Sequence, residues 1–304
     1  MASFNKRTSN LDLSSVQGSN RRWWTENTMS YDWNETITHD RYSAAWFEEI
    51  DKRFIHGARL FAHNQRPFDR IIPFDNIKGQ RVLEIGCGMG LHTELLTAAG
   101  AIVTSIDLSE TSTQATKRRL QLKSLFADVR QMDAENLDFP DQFFDLVWTW
   151  GVIHHSSRTG KIVHNIHRVL KLGGEARIMV YNLEGMAAYI SIVRKYLVGF
   201  WRGRRLDECL WSDADGFSAR FYTKDILADT LRMLFDDVTV QTFGQDADAF
   251  PVPRQLRRVL MRTRPPAKIA EVGNRRGAFL FAIAKKGVPS GDGACDRQPL
   301  SSAL

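Results

Sequence analysis

The sequence predicts a doubly wound α/β sheet, and three observations carry that prediction. Val82-Leu83-Glu84-Ile85 is a short apolar strand that runs into a glycine turn, Gly86-Cys87-Gly88-Met89-Gly90, just ahead of a helical pattern. Strand and helix patterns alternate from there to about residue 181, the order expected when helices cover both faces of a sheet. Residues 143–149 are a near-continuous apolar run, which suits the middle of a parallel sheet, buried on both sides.

Residues 1–20 are rich in Ser, Asn and Thr without apolar periodicity, so a disordered arm is expected. Trp23, Trp24, Tyr31, Trp33 and Tyr42 crowd the polar stretch that follows, and rings of that size are costly to leave in water. Residues 21–77 are therefore read as an N-terminal helical and aromatic lid, with packing on the outside of the main domain as the alternative. Trp46, Phe47, Ile50, Phe54 and Ile55 recur at helical spacing, which predicts a helix over 43–63. Strands are expected at 81–85, 101–107, 127–131, 143–149 and 175–181. Helices are expected at 91–99, stopped by Gly100, at 110–122, capped by Ser109, and at 159–170.

Beyond residue 182 the chain leaves the minimal pattern. Residues 187–201 are helical in spacing and apolar, and Arg202, Arg204 and Arg205 follow. This insertion, 183–220, reads as a peripheral membrane contact through 187–205, as a cap on an apolar acceptor, or as a helical excursion packed on the domain. A helix at 224–235 and strands at 237–243 and 277–286 close the main domain, 78–286. A second insertion, 245–276, is basic and broken by prolines, and residues 287–304 are expected to be a disordered tail.

The glycine turn defines the ligand. Glycines after the first strand let a ligand approach the backbone, and the next helix presents free N–H groups. The spacing is GxGxG and lacks the GxGxxG of dinucleotide binders. Glu84, two residues ahead, suits an amino group and a cation and would repel phosphate; S-adenosylmethionine meets that description. Asp107 ends the second strand about twenty residues past the turn, where a carboxylate can accept both ribose hydroxyls.

Five stations in order, VLEIGCGMG at 82–90, SIDLS at 105–109, QMDAE at 131–135, FDLVWTWGVIHH at 144–155 and LKLGGE at 170–175, resemble class I S-adenosylmethionine-dependent methyltransferases. In style they are similar to bacterial small-molecule enzymes of the quinone-biosynthesis type. The resemblance covers roughly 78–182 and implies a Rossmann-like sheet of seven strands, mostly parallel with an antiparallel last strand. It implies S-adenosylmethionine as cofactor and S-adenosylhomocysteine as product. Glu84, Gly86, Cys87, Gly88 and Gly90 would hold the methionine end, Asp107 with Leu108 the ribose, and Asp133 with the Ala134 amide the adenine. A plain turn acid is the alternative at Asp133.

Methyl transfer needs an aligned acceptor that is deprotonated when it attacks. His154 and His155 emerge from the fourth strand, and either is a candidate general base, against a role in bonding backbone. Trp150 could wall the cofactor or pack under the sheet, while Arg220 and Tyr222 are candidates to orient a polar group of the acceptor.

The acceptor is read as a small molecule that takes the methyl group on O, N or C. An RNA or protein acceptor and a non-catalytic cofactor-binding scaffold are the rival readings. The charge of +6 allows anionic partners, yet the arginines of 254–264 lack interleaved aromatics, which disfavours nucleic acid. Cys87, Cys209 and Cys295 form no CxxC pair, so no metal site is indicated. The absence of a long apolar stretch or signal-peptide core suggests a cytoplasmic protein.

Overall fold

The alternating apolar residues assemble into one twisted sheet in the computed structural model, which describes residues 13–31, 36–197, 206, 210 and 215–288. The strands are β1 (Arg81–Ile85), β2 (Ile102–Asp107), β3 (Asp128–Gln131), β4 (Phe144–Trp150), β5 (Leu170–Asn182), β6 (Phe221–Tyr222), β7 (Asp237–Phe243) and β8 (Phe279–Lys285). Their order is β3-β2-β1-β4-β5-β8-β7, with β6 pairing β5. Pairs among β1 to β6 are parallel, while β8 runs antiparallel to both β5 and β7. The seven expected strands are present, and the two-residue β6 is an eighth.

Helices α1 (Leu13–Glu26), α2 (Ala44–Ala62), α3 (Leu91–Ala98), α4 (Glu110–Leu122), α5 (Thr159–Val169), α6 (Met186–Ser191), α7 (Lys224–Arg232), α8 (Asp246–Ala249), α9 (Arg254–Arg262) and α10 (Pro266–Arg275) surround it. Side chains alternate across a strand, so each strand feeds two cores. Leu83, Val147 and Ile178 pack with Ile162 and Ile166 of α5 and Leu227 of α7. Val82, Leu146 and Trp148 pack on the other side with Phe61 of α2 and Leu96 of α3.

One expectation is corrected. Residues 13–20, expected to be disordered, form the first turns of α1, and Asn20 there is buried; residues 1–12 lie outside the described residues. The basic insertion 245–276 contains α8, α9 and α10, and its prolines are compatible with them because Pro253 and Pro265 stand at helix N-caps, where a missing N–H is harmless. In the other insertion, α6 continues as a π-helical turn over Ile192–Leu197, and 198–205 lie outside the described residues, as do 289–304. Among the described residues no helix is long and apolar enough to cross a membrane.

Register places the site. Ile85 lies level with Ile106 and with Thr149, so the turns after β1, β2 and β4 open along one sheet edge. Behind that edge Arg119 of α4, 1% exposed, pairs with Asp51 of α2 and with Glu94 of α3 at 2.6 Å. It also donates to the Met89 carbonyl in the glycine turn at 3.3 Å. Replacing Arg119 with Met should cost roughly 3–5 kcal/mol, since it strands two carboxylates; urea denaturation measures this.

Candidate active site

The glycine turn is shaped by backbone that side chains rarely adopt. Gly86, Gly88 and Gly90 have φ of +85°, +52° and +83°, in the left-handed region that favours glycine. A Cβ on Gly86 would collide with Val152, whereas Gly88 has no heavy atom within 4 Å of that position. The turn therefore presses against the β4 exit at Gly86 and offers open space at Gly88.

That space belongs to a cavity of about 1010 Å³. Gly86, Cys87, Gly88, Asp107, Leu108, Met132, Asp133, Ala134 and Trp150 line it, together with Gln17, Asn20 and Trp24 of α1. The Asp107 carboxylate accepts from the Gly88 N–H at 3.0 Å and from the Ser109 N–H at 2.8 Å, one on each oxygen. Each oxygen keeps a further lone pair for a ligand hydroxyl. Asp133 Oδ1 accepts from the Glu135 N–H and from the Gln17 side chain, both at 2.9 Å. Its turn-capping role is therefore real, and Oδ2 stays available to an amino group.

Glu84 and Gly90 act from behind the turn and do not line the cavity. Glu84 is 1% exposed; Oε2 accepts from Thr93 at 2.5 Å and Ser105 at 2.8 Å, while Oε1 is buried with no partner among the described residues. Gly90 caps α3, and a Cβ there would lie 3.0 Å from Thr116 and 3.1 Å from Arg119. The donor set suits the nucleoside and cationic group expected: two acids at successive strand ends, an open glycine, and a buried carboxylate oxygen left unsatisfied.

Residues 83–178 match the family described as "Methyltransferase domain". That stretch reads as a class I S-adenosylmethionine-dependent methyltransferase domain. The ubiquinone biosynthesis O-methyltransferase of Pseudomonas syringae pv. tomato is 29% identical over 161 residues, 51% of this chain and 68% of that one. The protein of the same description from Coxiella burnetii is 31% identical over 117 residues, which cover 38% of this chain and only 50% of that relative. In fold, the chain is similar to a methyltransferase from Archaeoglobus fulgidus, TM-score 0.51 and 21% identity over 81% of this chain and 100% of that one. It is also similar to the 4+2 cyclase SpnF, TM-score 0.53 and 17% identity over 93% and 98%.

The methyltransferase cavity continues past the cofactor stations into an aromatic wall that includes Tyr31, Phe54, Phe61, Trp150, Tyr181 and Phe279. Trp150 stacks on Trp148 at 5.9 Å and on Phe61 at 5.8 Å, so it both packs and lines.

The acceptor residues expected from sequence fare differently. His154 is fully buried away from the cavity, with neither ring nitrogen partnered among the described residues. Burial, then the charge of His155, holds it well below the usual histidine pKa. His155 reaches the cavity wall, but its Nδ1 lies 2.6 Å from the Ser218 carbonyl, to which it donates. Arg220 is exposed, and its guanidinium donates to the carbonyls of Ser156 and, at 2.9 Å, Ser157. Tyr222 is buried in the α5–α7 core. Neither Arg220 nor Tyr222 lines the cavity, a correction that follows from β6 joining the sheet beside β5. Sequence reasoning missed Gln17, Asn20 and Asp215, which do line it; no apolar pattern or motif marked them.

Burial pushes Glu84 up to about 7, against the hydrogen bonds from Thr93 and Ser105 and with some help from the Asp107 charge. Burial likewise pushes Asp107 up to about 6, against N–H donors from Ser109, Gly88 and Leu108. For carboxyls raised on folding, the stability they contribute is complete below about pH 4 and is lost as pH rises through 6 to 7. A cationic ligand reverses this by favouring the ionised forms. S-adenosylmethionine should therefore bind tighter as pH rises from 6 to 7.5 and release protons, seen as buffer-dependent heats in calorimetry. Glu84→Gln should flatten that dependence.

Proposed function

We propose that the protein transfers the methyl group of S-adenosylmethionine to a hydroxyl oxygen of a small, largely apolar acceptor that carries a flat ring. The observation that supports this most is the single cavity that joins the carboxylates of Asp107 and Asp133 to the wall of Tyr31, Phe54, Trp150 and Tyr181. Rings on that wall can stack on a planar acceptor, and the burial around them excludes water. The relatives' description as O-methyltransferases favours oxygen over nitrogen or carbon.

The bound cofactor supplies an electrophilic methyl group. The chain supplies position: Asp107 takes the ribose, and Asp133 Oδ2 with the Ala134 amide takes the adenine. We give the base role to neither His154, sealed from the cavity, nor His155, whose ring is engaged with Ser218. A cytoplasmic location belongs to this reading. So does contact with a lipid-like acceptor or membrane surface through α6 and its π-helical continuation, where Tyr189, Val193 and Leu197 stand exposed beside Arg194 and Lys195.

The reading is tested by transfer of labelled methyl from S-adenosylmethionine into a host-cell extract separated into aqueous, organic-soluble and macromolecular fractions. Label should enter the organic-soluble small molecules. It should vanish with Asp107→Ala, which should weaken cofactor affinity by about tenfold or more, because a charge-assisted hydrogen bond is removed. Label confined to RNA or protein would replace the small-molecule acceptor with a macromolecular one.

A further inference from the structure

A carboxylate stands on the acceptor side of the cavity that the cofactor stations do not use. Asp215 lines the wall and is half-buried. Among the described residues, no hydrogen-bond donor and no cation engages its carboxylate, and burial alone raises its pKa above the usual range. The groups that feel its charge are Tyr31, from the stretch before α2, and Tyr181, at the end of β5; in both, burial first and then Asp215 hold the phenol protonated.

The chain immediately after Asp215 is clamped. Gly216 has φ +87°, and a Cβ on it would lie 2.7 Å from His155 Nδ1 and 2.9 Å from the Trp24 ring, so no side chain fits there. Two residues on, the Ser218 carbonyl accepts from His155 Nδ1 at 2.6 Å. Its hydroxyl lies 2.8 Å from the His155 carbonyl and 3.1 Å from Asn20 Oδ1. Asn20 in turn donates to the His155 carbonyl at 2.7 Å. α1, the turn after β4 and this segment are thus tied together at Ser218, three residues from Asp215. A charge left without a partner in a partly buried site is costly, and such groups gather where a proton must be moved.

We propose that Asp215 is the catalytic base, taking the proton of the acceptor hydroxyl, and that His155 is the positioning residue that fixes its segment. The inference rests on the hydroxyl-acceptor reading above. The acceptor O–H bond breaks toward the Asp215 carboxylate, which becomes the carboxylic acid. The oxygen lone pair forms the bond to the transferred carbon as the carbon–sulfur pair returns to sulfur, which becomes a neutral thioether. Tyr31 and Tyr181 remain protonated throughout and so do not compete for the proton.

The test uses the full chain with 4-methylcatechol as hydroxyl probe and 4-methylbenzylamine as its cationic counterpart. Asp215→Asn should lower kcat on the catechol by about a hundredfold or more, the range of general-base catalysis, with KM changed less than about threefold. S-adenosylhomocysteine affinity, read by calorimetry, should be unchanged in the same variant. The acidic limb of the kcat profile should disappear in Asp215→Asn and return in Asp215→Glu.

A raised KM at constant kcat, or an acidic limb that survives in Asp215→Asn, overturns the base assignment; the surviving limb would belong to another group such as His155. Turnover of the amine but not the catechol makes Asp215 a counter-ion for an ammonium group and overturns it as well. Cofactor binding with transfer to neither probe overturns the hydroxyl-acceptor reading on which the assignment rests.

Discussion

A buried guanidinium holds the cofactor turn in place, and much of the architecture answers to it. Arg119 has no exposed surface to speak of, so its N–H donors must find partners inside the protein, and four of the five do. They are met by Asp51 on α2, by Glu94 on α3 and by the Met89 carbonyl in the turn itself. Three elements distant in sequence are thereby fixed relative to one another by a group that is costly to leave without partners. The requirement reaches Gly90 too, since the Arg119 side chain occupies the space a Cβ would need. The loop is held open toward the ligand because it is filled from behind.

The sheet and the cofactor stations were legible in the sequence for a related reason. β1 and β4 are buried on both faces along most of their length, so their residues had to be largely apolar in runs, and such runs are visible without any structure. The glycines were legible because left-handed backbone admits few alternatives. Asp107 was picked out by its place at a strand end and Asp133 by the family resemblance, and both line the cavity. Glu84 was found but misplaced: its chemistry suited the ligand, yet its position inside β1 turns it beneath the turn to Thr93 and Ser105.

What could not be read was held by side-chain amides and backbone carbonyls. α1 shows no apolar stripe, because much of what seats it is polar: Gln17 on Asp133, Asn20 on the His155 carbonyl and on Ser218. A segment docked by such bonds has the composition of a disordered one. Arg220 and Tyr222 looked like acceptor ligands because they follow the fifth strand. The pairing of Phe221–Tyr222 with Tyr181–Asn182 instead commits Arg220 to two carbonyls and Tyr222 to the core. His154 and His155 are adjacent in sequence and face different worlds, a distinction that only packing decides.

The division between legible and illegible follows the division of the site. The family match ends at residue 178, and Trp24, Tyr31, Phe54, Phe61, Tyr181, Asp215 and Phe279 all lie outside it while lining the cavity. A fold shared with both a methyltransferase and a cyclase constrains the sheet and says little of this wall. Cofactor binding is a property of strand ends, where topology fixes geometry before any particular side chain is chosen. On the reading proposed above, acceptor choice falls to the helices before the sheet, a segment after β5 and the helices around β7 and β8; of these, α2 also carries Asp51 and so stays tied to Arg119. The link between the halves is α1, which bonds Asp133 through Gln17 and the His155–Ser218 pair through Asn20. A change in how α1 sits would therefore reach the adenine station and the segment carrying Asp215 together.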